Sequence, residues 1–168
     1  ASRNRLVAKI AGGAKMFEVS GLSDVGNIGA RNAEAAKKIL KEKGIRMAVA
    51  TSSSPELYEP ALKRNGIYEY FKAFVTVSEV KRGKGFPDIY EKAADVYQLA
   101  AEKLSLKPEQ CVVYEDILTG IRGAKMGGFA AVGVYDRSGE GNRAKMEQEA
   151  DRYVTFFKEL MNGGDSFF

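Results

Sequence analysis

The chain has 168 residues, 45% hydrophobic and 29% charged, with 26 Lys and Arg against 22 Asp and Glu and a formal net charge of +4. One domain with a real core fits that length, and a mild positive charge spread along helices describes solvated faces rather than a nucleic-acid footprint. His and Trp are absent and Cys111 is alone, which excludes Ser-His-Asp and Cys-His catalysis, His-ligated zinc, cysteine metal clusters and an intramolecular disulfide.

No apolar run reaches the length of a membrane span, and none resembles a signal-peptide core. The expected compartment is cytoplasmic, with no membrane partner. The chain opens on Ala1 rather than Met, so the expectation is a processed, trimmed or partial chain.

From about residue 32 onward, apolar runs alternate with segments of helical period. Asn32 can cap a helix over residues 33–43, whose Ala36, Ile39 and Leu40 form an apolar stripe, and Gly44 stops it. RMAVA at 46–50 reads as a buried strand and leads into Thr51-Ser52-Ser53-Ser54-Pro55. Ser54 as N-cap and Pro55 at the first helical position start the next helix, which stops near Asn65-Gly66. FVTV at 74–77 is a second strand, and Pro87 opens a helix running to about Lys103. Within that helix IYEKAAD at 89–95 is followed at once by the similar VYQLAAE, a duplication of about two turns that lengthens the helix and keeps its buried face.

CVVY at 111–114 is the third strand, 117–126 the next helix, and Gly127-Gly128 its stop. Residues 130–135 form a fourth strand, 140–149 a solvated helix with no assignable role, and 152–154 a short fifth strand. Strands that are apolar throughout and alternate with helices predict an α/β fold, a doubly wound parallel sheet buried on both faces. Residues 1–30 are set apart as an N-terminal segment, a cap remnant or replaced sequence, and 31–168 form the core.

In such sheets ligands bind at the carboxyl ends of the strands. Thr51 and Ser52 stand after one strand, Glu115 and Asp116 after another, and Lys84 lies between them in KRGKGFPD at 81–88. A hydroxyl with free amides at a helix start can hold phosphate oxygens, and a Lys supplies a compact positive charge. Two adjacent carboxylates make sense around a hard cation such as Mg²⁺. Each feature has a plainer reading: Thr51 as a turn cap, Lys84 as a solvated side chain, Glu115 and Asp116 as acids at a helix N-terminus. Three of them at successive points of one α/β pattern favour a site.

With those residues in view, the sequence resembles the haloacid dehalogenase superfamily, in its β-phosphoglucomutase-like phosphatase branch. The resemblance runs through KEKGIRMAVATSSSPELYEPALKRNGIYEYF, VTVSEVKRGKGFPDIYEKAA and LSLKPEQCVVYEDILTGIRGAKMGGFAAVGVYD, nearly continuously over residues 41–136. It implies that Thr51 and the Ser52 amide hold a phosphoryl oxygen, that Lys84 neutralises the phosphoryl group, and that Glu115 and Asp116 bind Mg²⁺. It implies a phosphomonoester hydrolase acting on a small phosphorylated metabolite, with the cap domain absent or only a remnant. Lys84-Gly85-Phe86-Pro87-Asp88 departs from the family's Lys-Pro-x-Pro-Asp, leaving that loop less stiff.

The family also carries Asp-x-Asp-Gly-Thr after its first, central strand, the first Asp as nucleophile and the second as general acid/base. No such pattern occurs here. GLSDVGN at 21–27 is its nearest approach, with Asp24 the candidate nucleophile and a polar turn the competing reading. The alternatives are a non-catalytic binding domain and a sugar phosphomutase. Without a central first strand, neighbouring edges would be exposed and a homo-oligomer is expected, unless residues 15–20 supply a substitute strand.

Overall fold

The computed structural model describes residues 8–12, 44–80, 89–155 and 159. Six strands form one sheet in the order β3-β2-β1-β4-β5-β6, and every neighbouring pair is parallel. The strands are β1 (Ala8–Gly12), β2 (Arg46–Thr51), β3 (Phe71–Thr76), β4 (Cys111–Glu115), β5 (Ala130–Val134) and β6 (Arg152–Val154). Between them run α1 (Pro55–Arg64), α2 (Ile89–Lys103), α3 (Leu118–Met126) and α4 (Arg143–Glu149). This is the doubly wound α/β sheet expected from the alternation. Among the described residues no helix is long and apolar enough to cross a membrane.

The apolar runs become strands because both of their faces are covered. All five residues of β4 are buried. Cys111 and Val113 join the larger cluster with Val75, Tyr97, Leu104, Ile121 and Phe129, while Val112 and Tyr114 join Val132 and Val154 in a smaller one. That division is the period-2 alternation of a strand with two apolar faces. Fully burying a side chain such as Ile121 or Val113 stabilises the fold by roughly 1.5–3 kcal/mol.

The helices α2 and α3 pack closely because Gly123 has no side chain. A Cβ there would lie 2.5 Å from the Ala93 Cβ and 2.9 Å from the Tyr90 carbonyl oxygen. On its other flank α3 is tied to α4: Arg122 donates to both Glu149 carboxylate oxygens at 2.7 and 2.6 Å and to the Tyr90 hydroxyl at 2.9 Å. Met146 of α4 is buried at 1% exposure. Residues 140–149 thus do more than present a solvated face, since 143–149 close one side of the core.

Two further departures have physical causes. Residues 68–70 form a 3-10 turn that runs directly into β3, so that strand begins at Phe71 and ends at Thr76. Phe74 is held there by stacking on Tyr58 and Tyr68, with ring centroids 5.4 and 4.8 Å away. The second departure is β1. A strand was expected only if residues 15–20 supplied one, and those lie outside the described residues; the strand is Ala8–Gly12. It pairs with β2 on one side and β4 on the other, which fills the gap from which edge-driven association was expected. The helix expected over residues 33–43 lies outside the described residues.

Candidate functional site

The sheet brings the ends of β2, β1 and β4 side by side. Gly12 pairs with Ala50 and Ala11 pairs with Tyr114, so Thr51 and Glu115 stand one residue beyond those partners, on either side of the end of β1. Parallel strands lie about 4.8 Å apart, so the ends of β2 and β4 are about 10 Å apart across β1. That spacing suits an oxyanion between them.

Thr51 is the last residue of β2 and is held by the turn after it. Its Oγ1 accepts the Ser53 N–H at 3.1 Å, and its carbonyl accepts the Val77 N–H at 3.2 Å, which links the ends of β2 and β3. A hydroxyl has two acceptor sites and one hydrogen. With Ser53 on an acceptor site, the hydrogen can be given to an anion in front of the sheet. Thr51 is therefore a turn cap and a poised donor at once. Ser52 is exposed beside it.

The two acids after β4 differ sharply. Glu115 is buried at 6% exposure, and its carboxyl turns into the core. There Oε1 accepts the Tyr97 hydroxyl at 2.5 Å and Oε2 accepts the Asp116 N–H at 3.1 Å. Burial, followed by the negative charge of Asp116, pushes its pKa up to about 7 and so weakens it as an acid, against the Tyr97 hydrogen bond, which favours the charged form. Asp116 is half-buried. Its Oδ1 is out of contact with solvent and accepts no hydrogen bond, and burial, with a smaller contribution from Asp136, holds its carboxyl above the usual range. Gly139 lies against the Asp116 backbone, where a Cβ would come within 2.9 Å of the carbonyl oxygen.

A buried carboxylate oxygen with no donor is costly unless a cation or a proton takes it. Mg²⁺ is commonly held by one or two carboxylates together with substrate phosphate oxygens and water. The orphaned Asp116 oxygen fits that pattern, although among the described residues no three His, Cys, Asp or Glu side chains gather into a cluster. Lys84 and Asp24 lie outside the described residues. Tyr97 and Gly120, which set the posture of Glu115, were not read as site residues; no local signal marks them, since Tyr97 is 18 positions from its partner.

Residues 31–128 match the haloacid dehalogenase-like hydrolase family, while residues 1–53 match the CheD chemotactic sensory transduction family. Over 88 residues the chain is 38% identical to fructose-1-phosphate phosphatase YqaB of Escherichia coli, covering 52% of this chain and 43% of that enzyme. It is 63% identical over 43 residues to the chemoreceptor glutamine deamidase CheD of Thermotoga maritima, covering 26% of this chain and 25% of that protein. The crystal structure of a putative β-phosphoglucomutase from Thermotoga maritima superposes with a TM-score of 0.57 at 33% identity, covering 75% of this chain and 54% of that one. The chain thus spans less than half of the curated relatives it matches.

Proposed function

Because the chain belongs to the haloacid dehalogenase-like hydrolase family, we propose that it carries the phosphoryl-binding site of a Mg²⁺-dependent phosphomonoester hydrolase for a small phosphorylated carbohydrate, with turnover impaired. The observation that carries this reading is the flanking of the β1 end by the Thr51 hydroxyl and the orphaned Asp116 oxygen. The relative that hydrolyses fructose 1-phosphate supports the substrate class.

In this reading Thr51 donates its hydroxyl hydrogen to a phosphoryl oxygen, and the Ser52 amide donates beside it. Lys84 brings a positive charge to the same group. Asp116 would hold Mg²⁺ through Oδ1, and Glu115 fixes the backbone of Asp116 rather than presenting its own oxygens to the site. When bound, the cation supplies screening of the phosphoryl charge. Donors aimed at a transferring phosphoryl group stabilise its equatorial charge in the transition state. A carboxylate nucleophile, general acid and general base would complete hydrolysis, and Asp24 is the candidate for attack.

A non-catalytic binding domain is the second reading, favoured by a specific observation: β1, the central strand, ends in Gly12 and carries no carboxylate there. The phosphomutase reading rests on likeness to the putative β-phosphoglucomutase. Cys111 is fully buried, and burial pushes its thiol up to about 11. The buried lone thiol supports a cytoplasmic setting.

The test is phosphate release from an aryl phosphate with Mg²⁺, alongside calorimetric binding of inorganic phosphate. The expected result is saturable phosphate binding weakened at least about tenfold by Thr51→Ala or Asp116→Asn, with turnover orders of magnitude below that of an intact phosphatase. Turnover at full phosphatase rates, abolished by Asp24→Asn, would overturn the impairment. Absence of any phosphate or Mg²⁺ binding would overturn the site itself.

A further inference from the structure

Among the described residues, the outer strands of the sheet are β6 and β3. β6 is three residues long, and so short an edge gives another strand little to pair with. β3 has six residues. With the residue after it the segment reads FKAFVTV, aromatic or β-branched at every position but Lys72 and Ala73. That composition takes up strands from other chains when its edge is open.

Backbone groups alternate along a strand between its two sides. The Val77 N–H reaches back to the Thr51 carbonyl of β2, so Thr76 and Phe74 turn their backbone groups away from the sheet. Those outward groups already have partners. The Thr76 N–H donates to Glu79 Oε1 at 2.9 Å, and the Thr76 carbonyl accepts the Glu79 N–H at 3.0 Å. The Phe74 carbonyl accepts Lys103 Nζ at 2.9 Å, and the same ammonium pairs with Glu79 Oε2 at 2.6 Å. Lys103 is the last residue of α2, so the pair ties the end of that helix to the turn after β3, across the outer edge.

We infer that Glu79 and Lys103 form an edge plug: they occupy the groups through which β3 would pair with the β3 of a second copy, and so end the sheet at six strands. An incoming strand needs the same Phe74 carbonyl and Thr76 amide, and must first break the ion pair that covers them. A second copy is the partner that fits the unplugged edge. An antiparallel pair centred on Phe74 sets Lys72 of one copy against Thr76 of the other, so the segment meets itself with no like charges opposed.

The test uses the full chain with Glu79→Ala and, separately, Lys103→Met. Hydrogen exchange is read at the Thr76 amide, and mass by light scattering after size exclusion. In the parent, Thr76 should exchange slowly for a residue on an outer strand. Glu79→Ala should speed that exchange at least about tenfold in dilute solution. Both variants should form dimers as concentration rises, and a fluorescent peptide of residues 71–77 should bind them and not the parent. Folded variants that stay monomeric and ignore the peptide would overturn the plug. So would fast exchange at Thr76 in the parent, or a parent that itself binds the peptide. Should neither variant fold, the Thr76 exchange rate and peptide binding of the unaltered chain still decide.

Discussion

Glu115 shows how much of a site can depend on a group that does not face it. Its carboxyl is held inward by the Tyr97 hydroxyl and in turn holds the amide of Asp116. Room for that posture comes from Gly120, where a Cβ would lie 2.6 Å from Oε1 and 2.7 Å from the Cγ of Glu115. Gly120→Ala must therefore expel the carboxyl or strain α3. Overpacking of this kind costs about 1–3 kcal/mol, and in a chain of this size each kcal/mol lowers Tm by about 2–4 °C. A Tm lowered by about 2–12 °C, together with weaker phosphate binding, is expected from calorimetry; an unchanged Tm would show that Glu115 is not packed on that glycine. The end of α2 gives the opposite sign. Ser105 adopts φ of 55°, while its N–H bonds to Glu102 and that of Leu106 to Ala101, the paired closure that usually places a glycine at this position. Ser105→Gly should raise stability by about 1 kcal/mol, read as a higher urea midpoint.

Among the elements, β1 separates what the sequence discloses from what only the fold discloses. The strands β2 and β4 are legible because burial on both faces demands unbroken apolar runs, and where those runs stop, Thr51 and Asp116 are marked as strand-end residues. The five residues of β1, AKIAG, carry a Lys and end in glycine, so their strand character comes from pairing on both sides rather than from their own preference. The inward turn of Glu115 was equally hidden, since its partner lies on another helix. A central strand has no free edge to absorb a proline, which removes a ladder donor and is tolerated only at edges or bulges. Ala11→Pro is accordingly expected to cost about 1–3 kcal/mol, since the ladder partner is left unpaired. A urea midpoint matching that of the parent chain would mean that β1 does not hold this place.

For the whole molecule, the two family matches meet inside one sheet. The CheD-like match covers residues 1–53 and the hydrolase match 31–128. The central strand β1 therefore falls in the CheD-like part alone, β2 falls in both, and β3 and β4 fall in the hydrolase part alone. In the stretch the two matches share, the strand β2 pairs with β1 on one side and β3 on the other, because parallel pairing asks for apolar strands in register and is indifferent to their origin. The strand that supplies continuity is also the one that ends without a carboxylate, so the same residues that complete the fold leave the proposed phosphoryl site without a nucleophile at that position. Deleting residues 1–43 removes β1 and leaves β2 and β4 each with an unpaired edge facing the gap. Unpaired apolar edges recruit strands from other copies, so the shortened chain should run as dimers or larger species in size-exclusion chromatography with light scattering and lose its cooperative thermal transition. If it remains monomeric with the parent's Tm, β1 contributes nothing to the sheet, and the hydrolase-like part folds without the strand that the CheD-like part provides.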